Sequence, residues 1–200
     1  HANQVFVSDI TYYDMGPKTY YLTLIMDLFN REIVGWTASD NLRTESTTLP
    51  ALHRLINQRG RSNIEGSILH SDGGGQYYCK EFKALTKELK MVNSMTEEKV
   101  YENAHAERLN GIIKNNYLYP YGPTSLVSLR RLQDKAVHMY NTGKPHKALG
   151  KLTPKSFKDT IDNEDNSASN LPLSTVNHHH HYNNINNKRS KLSNKKVNVI

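Results

Sequence analysis

The sequence predicts a mixed α/β fold in which helices pack against a single sheet. Three β-like segments joined by short turns come first, and helical segments then alternate with two short strands. This order is typical of a mixed sheet with helices on its faces. With 200 residues, the chain has room for one ordinary domain of about 150 residues and an appendage.

The first three strands are predicted from alternating hydrophobicity, from β-branched and aromatic residues, and from the turns between them. They cover residues 4–13, 19–29 and 32–37. Met15-Gly16-Pro17 and Asn30-Arg31 form the expected turns. Because both connections are short, we expect the three strands to be antiparallel neighbours.

The later elements are predicted from the helical spacing of apolar side chains and from turn residues. They are helices at 44–59, 82–89, 102–118 and 125–140, short strands at 67–70 and 91–94, and a polar loop at 96–101. Pro50 lies inside the first helix, so we expect that helix to begin late or to bend there.

The composition changes after Phe157. Residues 163–200 contain ten Asn, the run His178–His181 and few large apolar side chains. Such a segment cannot bury enough surface to offset the entropy of ordering it, and flexible His tracts usually hold no native metal. We therefore predict a folded core over 1–158 and an Asn-, His- and Lys-rich disordered tail over 159–200.

Several features bear on the location of the protein. No apolar run approaches the roughly 20 residues that a membrane helix needs. The N-terminus lacks a basic-then-apolar leader, and the one cysteine, Cys79, excludes an intrachain disulfide framework and a multi-cysteine zinc site. We expect a cytoplasmic protein with no membrane partner.

The formal net charge of +7 is unevenly distributed along the chain. Residues 1–107 contain 11 Lys and Arg against 14 Asp and Glu, whereas residues 108–161 contain 10 against 2. Basic residues on surface helices are most often simply solvated. An acidic pocket beside a basic track is, however, what nucleic-acid enzymes need, because metal ions bind carboxylates and the phosphate backbone binds Lys and Arg.

Three acidic residues stand out by their position in the predicted elements. Asp9 lies in the first strand, Asp72 where a strand ends before a triple glycine, and Glu107 in a helix. Each alone has an ordinary explanation: a solvent-facing strand residue, a turn hydrogen bond or a solvated helix face. Together they can converge at one sheet edge, where oxygen ligands suit two divalent ions that clamp the attacking and leaving oxygens of a phosphodiester.

One side of the predicted helix at 102–118 carries polar residues in a fixed order. Asn103, Glu107, Asn110 and Lys114 follow one another at spacings of three and four residues. The helix therefore offers a carboxylate to a metal and, two turns later, a cation to phosphate.

Several motifs along the chain together resemble one known family. They are Ser8-Asp9-Ile10-Thr11-Tyr12, Met26-Asp27-Leu28-Phe29-Asn30-Arg31, Ile33-Val34-Gly35-Trp36, His70-Ser71-Asp72-Gly73-Gly74-Gly75-Gln76-Tyr77, Glu102-Asn103-Ala104-His105-Ala106-Glu107, Tyr140-Asn141, Lys144-Pro145-His146, Leu149 and Thr153-Pro154. In this order, over about residues 3–158, they resemble the catalytic core of bacterial DDE transposases of the insertion-sequence-three type, which are similar to retroviral integrases.

The resemblance implies an RNase H-like fold with a five-stranded mixed sheet flanked by helices. It implies nicking of DNA and strand transfer by the 3′-OH, with Asp9, Asp72 and Glu107 as the catalytic, metal-binding residues. Two Mg²⁺ or Mn²⁺ ions are expected, with Asp9 bridging both. The residues that match DNA-contacting positions of the family are Lys114, Gln76, Asn103, Lys144 and His146. The implied partners are transposon ends and target DNA, bound by at least a dimer.

The chain departs from the family pattern at a few positions. Asp72 and Glu107 have 34 residues between them, one fewer than usual, and Phe6 stands where a Trp is common. Lys144 replaces an Arg, which keeps the charge but loses the bidentate fork. The sequence begins at His1 without the helix-turn-helix region of such enzymes. Two other interpretations stay open: an RNase H-like nuclease and a catalytically inactive DNA-binding remnant.

Overall fold

The computed structural model describes residues 1–95 and 103–169 and contains one five-stranded mixed sheet. Its strands are β1 (Val5–Met15), β2 (Lys18–Asp27), β3 (Ile33–Ser39), β4 (Ile68–Ser71) and β5 (Val92–Met95), in the order β3-β2-β1-β4-β5. The polar loop predicted at 96–101 lies outside the described residues.

The first three strands form the predicted antiparallel meander. β1 pairs with β2 from Phe6 opposite Asp27 to Met15 opposite Lys18, and β2 pairs with β3 on its other edge. The β1–β2 turn uses a positive φ at Gly16, which a glycine adopts without strain. β4 and β5 then add in parallel on the free side of β1. This topology makes β1 the central strand of the sheet.

The described residues contain seven α-helices. They are α1 (Thr48–Arg59), α2 (Arg61–Ile64), α3 (Gly75–Tyr78), α4 (Lys80–Glu88), α5 (Ala104–Ile113), α6 (Leu126–Gly143) and α7 (Pro154–Ser169). α1 and α4 pack on one face of the sheet in a core that includes Phe6, Leu52 and Phe82. α5 and α6 pack on the other face, where Leu109 and Val137 meet the sheet.

The residues at the N-termini of α1 and α6 explain where these two helices begin. α1 begins late, as expected, after a 3-10 turn at Thr44–Ser46, so that Pro50 lies in its first turn, where a backbone N–H has no intrahelical acceptor. α6 begins after Ser125, whose Oγ accepts the Ser128 N–H while the Ser128 hydroxyl accepts the Ser125 N–H. This reciprocal cap satisfies two otherwise unpaired donors.

Two helices differ in type or extent from the prediction. The predicted continuous helix at 102–118 ends as an α-helix at Ile113 and continues as a π-helical turn over Lys114–Leu118. α7 continues to Ser169, past the predicted end of the core at residue 158. Residues 170–200, with the run His178–His181, lie outside the described residues, so the disordered tail over 159–200 stays a prediction. The chain divides into two units, of which the first is His1–Asp159 and the second begins at Thr160. Within the described ranges no helix is both long and apolar enough to cross a membrane.

A buried charged cluster ties the β2–β3 turn to the end of α1. Arg59 Nη2 lies 2.5 Å from Glu32 Oε2 and 4.0 Å from Asp27 Oδ2. Asp27 is fully buried, and its carboxylate accepts the backbone N–H groups of Asn3 and Phe29 at 2.8 and 2.9 Å. Burial raises the pKa of Asp27, whereas these hydrogen bonds and the Arg59 charge lower it. The cluster fixes the end of β2 that carries the following turn.

Candidate active site

Asp9 and Asp72 lie at equivalent positions on neighbouring parallel strands. The last aligned pair of β1 and β4 is Val7 opposite His70, and each aspartate follows two residues later. Asp9 is half-buried within β1, whereas Asp72 is exposed just beyond the end of β4. The parallel pairing therefore brings the two carboxylates to the same end of the sheet.

The turn after β4 holds the Asp72 side chain. The Gly74 backbone N–H donates to Asp72 Oδ1 at 3.1 Å, and Gly73 has a φ of 75°. Asp72 thus makes the turn hydrogen bond that the sequence allowed, and it remains exposed. The turn restricts the carboxyl without burying it.

Two buried asparagines fix α5 against β1 on either side of Glu107. The Asn103 amide donates to the Ser8 backbone oxygen at 3.0 Å, and the Asn110 amide donates to Asp9 Oδ2 at 2.7 Å. Glu107 lies one turn after Asn103 and is exposed. The same helix face therefore carries the third acid to the side of the sheet where Asp9 lies.

The three carboxylates interact electrostatically. The pKa of Asp9 is raised to about 7, first by burial, then by the nearby charge of Asp72 and more weakly by that of Glu107. The Ile10 backbone N–H and the Asn110 amide act in the opposite direction. Three negative charges around a half-buried centre repel one another, and a bound cation would relieve that repulsion.

The donor set fits a hard divalent cation, although the acids are not drawn together around one point. In the part of the chain that the structure describes, no three His, Cys, Asp or Glu side chains form a group that could hold a metal ion. All three acids supply carboxylate oxygens, the ligands that Mg²⁺ prefers. Because Asp72 and Glu107 are exposed, their side chains can change rotamer without disturbing the core.

Lys114 reaches back from the end of α5 to the same strand as Asp9. Its Nζ donates to Thr11 Oγ1 at 2.9 Å and to the Tyr12 backbone oxygen at 3.1 Å. The Lys114 ammonium thus lies two to three residues along β1 from Asp9.

The structure distributes the other predicted DNA-contacting residues differently. Asn103 is buried and its amide donates to the Ser8 carbonyl, so this side chain is suited to positioning α5. Gln76 is half-buried in α3, where its backbone oxygen lies 3.4 and 3.3 Å from the hydroxyls of Thr44 and Thr48. Contact of either side chain with DNA stays a prediction.

Lys144 and His146 lie apart from the acids, beside a cavity that Arg108 and Ile112 of α5 also line. Arg108 is two residues from Asn110, about 200° around the helix from the Asp9 contact, since each helical residue turns the chain by about 100°. The predicted DNA-contacting residues therefore lie on two sides of α5, with Lys114 on the side of Asp9 and with Lys144 and His146 beside the cavity.

Two supporting residues were not assigned a role from the sequence. Asn110 was placed on the Glu107 side of the helix, but its bond to Asp9 depends on how α5 docks on β1. The buried Tyr77 shares a 2.7 Å hydrogen bond with Ser8, next to Asp9. The signal that could have found Tyr77 is its place directly after the Asp72 glycine turn.

Two family models, both described as integrase core domain, match residues 1–99 and 93–154. The chain belongs to the integrase core domain family. It is 29% identical over 171 residues to the transposase for insertion sequence element IS629 of Shigella sonnei. It is 28% identical over 159 residues to transposase InsF for insertion sequence IS3A of Escherichia coli.

These matches cover most of this chain and just over half of each relative. The IS629 match covers 83% of the chain and 56% of the relative, and the InsF match covers 78% and 54%. The HTLV-2 integrase catalytic core domain in complex with magnesium superposes with a TM-score of 0.61 and 20% identity, over 78% of this chain and 95% of that one. The predicted RNase H-like fold, with its five-stranded mixed sheet and flanking helices, is thereby confirmed.

Proposed function

We propose that this integrase core domain carries out the metal-dependent DNA cutting and joining steps of transposition. The observation that carries the proposal is the register of β1 and β4, which brings Asp9 and Asp72 to one end of the sheet, together with the electrostatic contact of both Asp72 and Glu107 with Asp9. The names of the relatives, transposases of insertion sequences, support the same activity.

Asp9, Asp72 and Glu107 would hold two Mg²⁺ or Mn²⁺ ions, with Asp9 shared between them. Bound ions would supply the positive charge that stabilises the attacking and leaving oxygens of a phosphodiester. Asn110 orients Asp9 by its hydrogen bond, and Asn103 holds the helix that carries Glu107. The HTLV-2 integrase catalytic core domain, which has the same fold, was solved in complex with magnesium, and this supports the choice of ion.

The proposed reaction has two displacements at phosphorus. In the first, water attacks the phosphodiester at the end of the element, the P–O3′ bond breaks, and a free 3′-OH leaves. In the second, that 3′-OH attacks a target phosphodiester, a new P–O3′ bond forms and the target's 3′ oxygen leaves. The protein forms no covalent bond to DNA, so the acids need only hold ions and position oxygens.

Transposon ends and target DNA are the proposed partners, with Lys114 on a phosphate near the acids. Lys114 already lies on β1 beside Thr11 and Tyr12, so its ammonium has a fixed position relative to Asp9. Joining two DNA ends requires at least two active sites, so we propose an assembly of two or more chains on DNA. The cytoplasm of a bacterium is the proposed site of action, because the chromosome lies there.

The test is a DNA nicking and joining assay on the purified chain. We expect Mg²⁺- or Mn²⁺-dependent cleavage of a duplex that contains the element's end, and none of an RNA–DNA hybrid. Glu107→Gln keeps the helix but removes a charged oxygen ligand, so it should eliminate both products. Preferential cleavage of the hybrid would favour an RNase H-like nuclease. Products that persist in Glu107→Gln would contradict the assigned acids, and DNA binding without any product would favour an inactive remnant.

Replacing Asn110 by Ala is expected to weaken metal use without eliminating activity. The variant loses the amide that donates to Asp9 Oδ2 at 2.7 Å, and loss of such a supporting hydrogen bond typically costs roughly 10- to 100-fold in metal affinity. The Mg²⁺ concentration for half-maximal nicking should therefore rise by roughly that factor. Asn115→Ala, at an exposed position on the next turn, is the matched control and should leave the titration unchanged. Equal titrations for the two variants would contradict the role of Asn110.

A further inference from the structure

A basic cavity lies on the side of α5 that points away from the catalytic acids. Its volume is about 620 Å³, and it is lined by α5, the β2–β3 turn, the end of α6 and residues 144–148. Small-molecule sites range over roughly 300–1,000 Å³. The cavity is therefore large enough for a nucleotide and larger than a single inorganic anion needs.

Four cationic residues line the cavity, and no acidic residue does. They are Arg31, Arg108, Lys144 and Lys147. Across residues 1–95 and 103–169, none of the four forms an ion pair with a carboxylate. Arg31 Nη1 instead lies 3.2 Å from His105 Nδ1. Like charges gathered without counter-ions repel one another, so an anion bound here would stabilise the fold.

His146 lies in the same positive potential. Burial lowers the pKa of its imidazole, and the charges of Lys144, Arg31 and Arg108 lower it further. Its Nε2 is buried without a hydrogen-bond partner among the described residues. The ring packs edge-on against Tyr140, with the centroids 5.2 Å apart.

The floor of the cavity is apolar and already formed. Met26, Leu109 and Tyr140 are buried there, and the Tyr140 hydroxyl lies 3.8 Å from Met26 Sδ. The loop on one side is held by a β-bridge in which the His146 N–H donates to the Leu152 carbonyl at 2.9 Å. An apolar floor under a cationic rim is complementary to a base or sugar with its attached phosphate.

We propose that this cavity binds one nucleotide unit of a DNA strand, with the phosphate on the cations and the base or sugar on the apolar floor. Arg31 and Arg108 can each bind a phosphate through two parallel N–H groups, which gives orientation as well as charge. The proposal rests on the proposed function in taking DNA as the ligand. It adds a second DNA contact, on the face of α5 that does not carry Glu107.

The test is binding of a fluorescently labelled DNA oligonucleotide, single- or double-stranded, in chelating buffer at several salt concentrations. The double variant Arg108→Ala with Lys144→Ala should lower affinity by about tenfold or more near 100 mM salt and reduce the slope of log affinity against log salt by close to two. Lys83→Ala with Lys87→Ala removes the same charge from α4 and is the matched control. Equal losses in the two double variants would overturn the proposal, because net charge alone would explain them.

A second variant tests the cavity itself rather than its charge. Ala148 is an exposed residue of the lining, and Ala148→Trp fills the space while keeping every cation. We expect this variant to lose affinity severalfold with an unchanged thermal unfolding curve. Unaltered binding by Ala148→Trp, or no measurable binding by the unsubstituted chain at low salt, would overturn the proposal.

Competition identifies the part of DNA that is bound. Deoxyadenosine monophosphate should displace the labelled strand at lower concentration than inorganic phosphate, because only the nucleotide also contacts the apolar floor. Equal displacement would show an anion site without nucleotide recognition and would overturn that part of the proposal. These experiments need no turnover, so failure here with active nicking leaves the proposed function standing. Conversely, if Glu107→Gln loses nicking but binds DNA normally, the acids and the cavity act separately.

Discussion

Replacing Asp9 by Asn is expected to abolish DNA nicking while stabilising the protein in the absence of metal. Asn keeps the hydrogen-bonding shape but lacks the charge that a shared metal ligand needs, so we expect activity to fall by roughly 10³-fold or more. In chelating buffer the same change removes a half-buried charge that lies close to Asp72 and Glu107. The two effects have opposite signs because the repulsion that destabilises the metal-free protein is what attracts the ion.

The size of the stability gain follows from the pKa of Asp9. Burial and the neighbouring acids raise that pKa from 3.8 to about 7, and each unit corresponds to about 1.4 kcal/mol. The full difference sets an upper limit of about 4 kcal/mol near pH 8, and solvent reduces it because Asp9 is only half-buried. A gain of one to two kcal/mol should raise Tm by roughly 3–8 °C.

The control for Asp9→Asn is Asp14→Asn, on the same strand. Asp14 is exposed and accepts a hydrogen bond from Thr19 at 2.6 Å, so its variant should keep full nicking activity. Thermal unfolding with and without Mn²⁺ completes the test: Mn²⁺ should raise the Tm of the unsubstituted chain and of Asp14→Asn, but not that of Asp9→Asn. A lower Tm for Asp9→Asn in chelating buffer, or retained nicking, would contradict the assigned site.

Replacing the buried Arg59 by Ala is expected to be among the most destabilising single substitutions in the chain. The substitution leaves Asp27, which is fully buried, and Glu32 without the guanidinium that lies 4.0 and 2.5 Å from their oxygens. Breaking a buried ion pair by removing one partner typically costs about 3–5 kcal/mol. Urea unfolding should show a loss of this order.

The loss in Arg59→Ala should depend on pH with a definite sign. Burial already raises the pKa of Asp27, and removing the Arg59 charge, which lowers it, raises that pKa further. A carboxyl whose folded pKa is raised favours the folded state at low pH and loses that contribution as pH rises through the folded value. The difference in unfolding free energy between the two proteins should therefore shrink as pH falls from 8 towards 5.

A nearby arginine provides the matched control for Arg59. Arg61 pairs with Glu88 at 2.6 Å, but both side chains are more than half exposed. Exposed ion pairs contribute about 0–1 kcal/mol, so Arg61→Ala should have little effect at any pH. Similar losses for Arg59→Ala and Arg61→Ala would show that the buried cluster does not stabilise the fold.

The strands and most helices could be predicted because their patterns are local. Alternation and turn residues give β1 to β3, and apolar spacing gives α6. The change to a π-helical turn after Ile113 could not be predicted, since apolar residues continue at helical spacing through Tyr117. The helical start of the tail was missed because its low hydrophobicity outweighed Pro154 at the first position of α7.

The three acids could be named from the sequence, but their surroundings could not. Asp9, Asp72 and Glu107 occur in recognisable motifs, whereas the Asn110–Asp9 bond depends on the docking of α5 on β1. The basic cavity combines Arg31, Arg108 and Lys144 from three distant parts of the chain. A list of basic positions does not show that some face the acids and others face away.

The strand order of the sheet also bears on the order in which the chain folds. β1, β2 and β3 are joined by short turns, so their contacts form between residues close in sequence. β4 pairs with β1 across more than 60 residues, and closing so long a loop slows the formation of that contact. We expect a meander carrying Asp9 to form early, with Asp72 and Glu107 arriving when β4 and α5 dock. A partly folded or nascent chain would then hold a single one of the three acids in place, and the proposed metal site would not yet be complete.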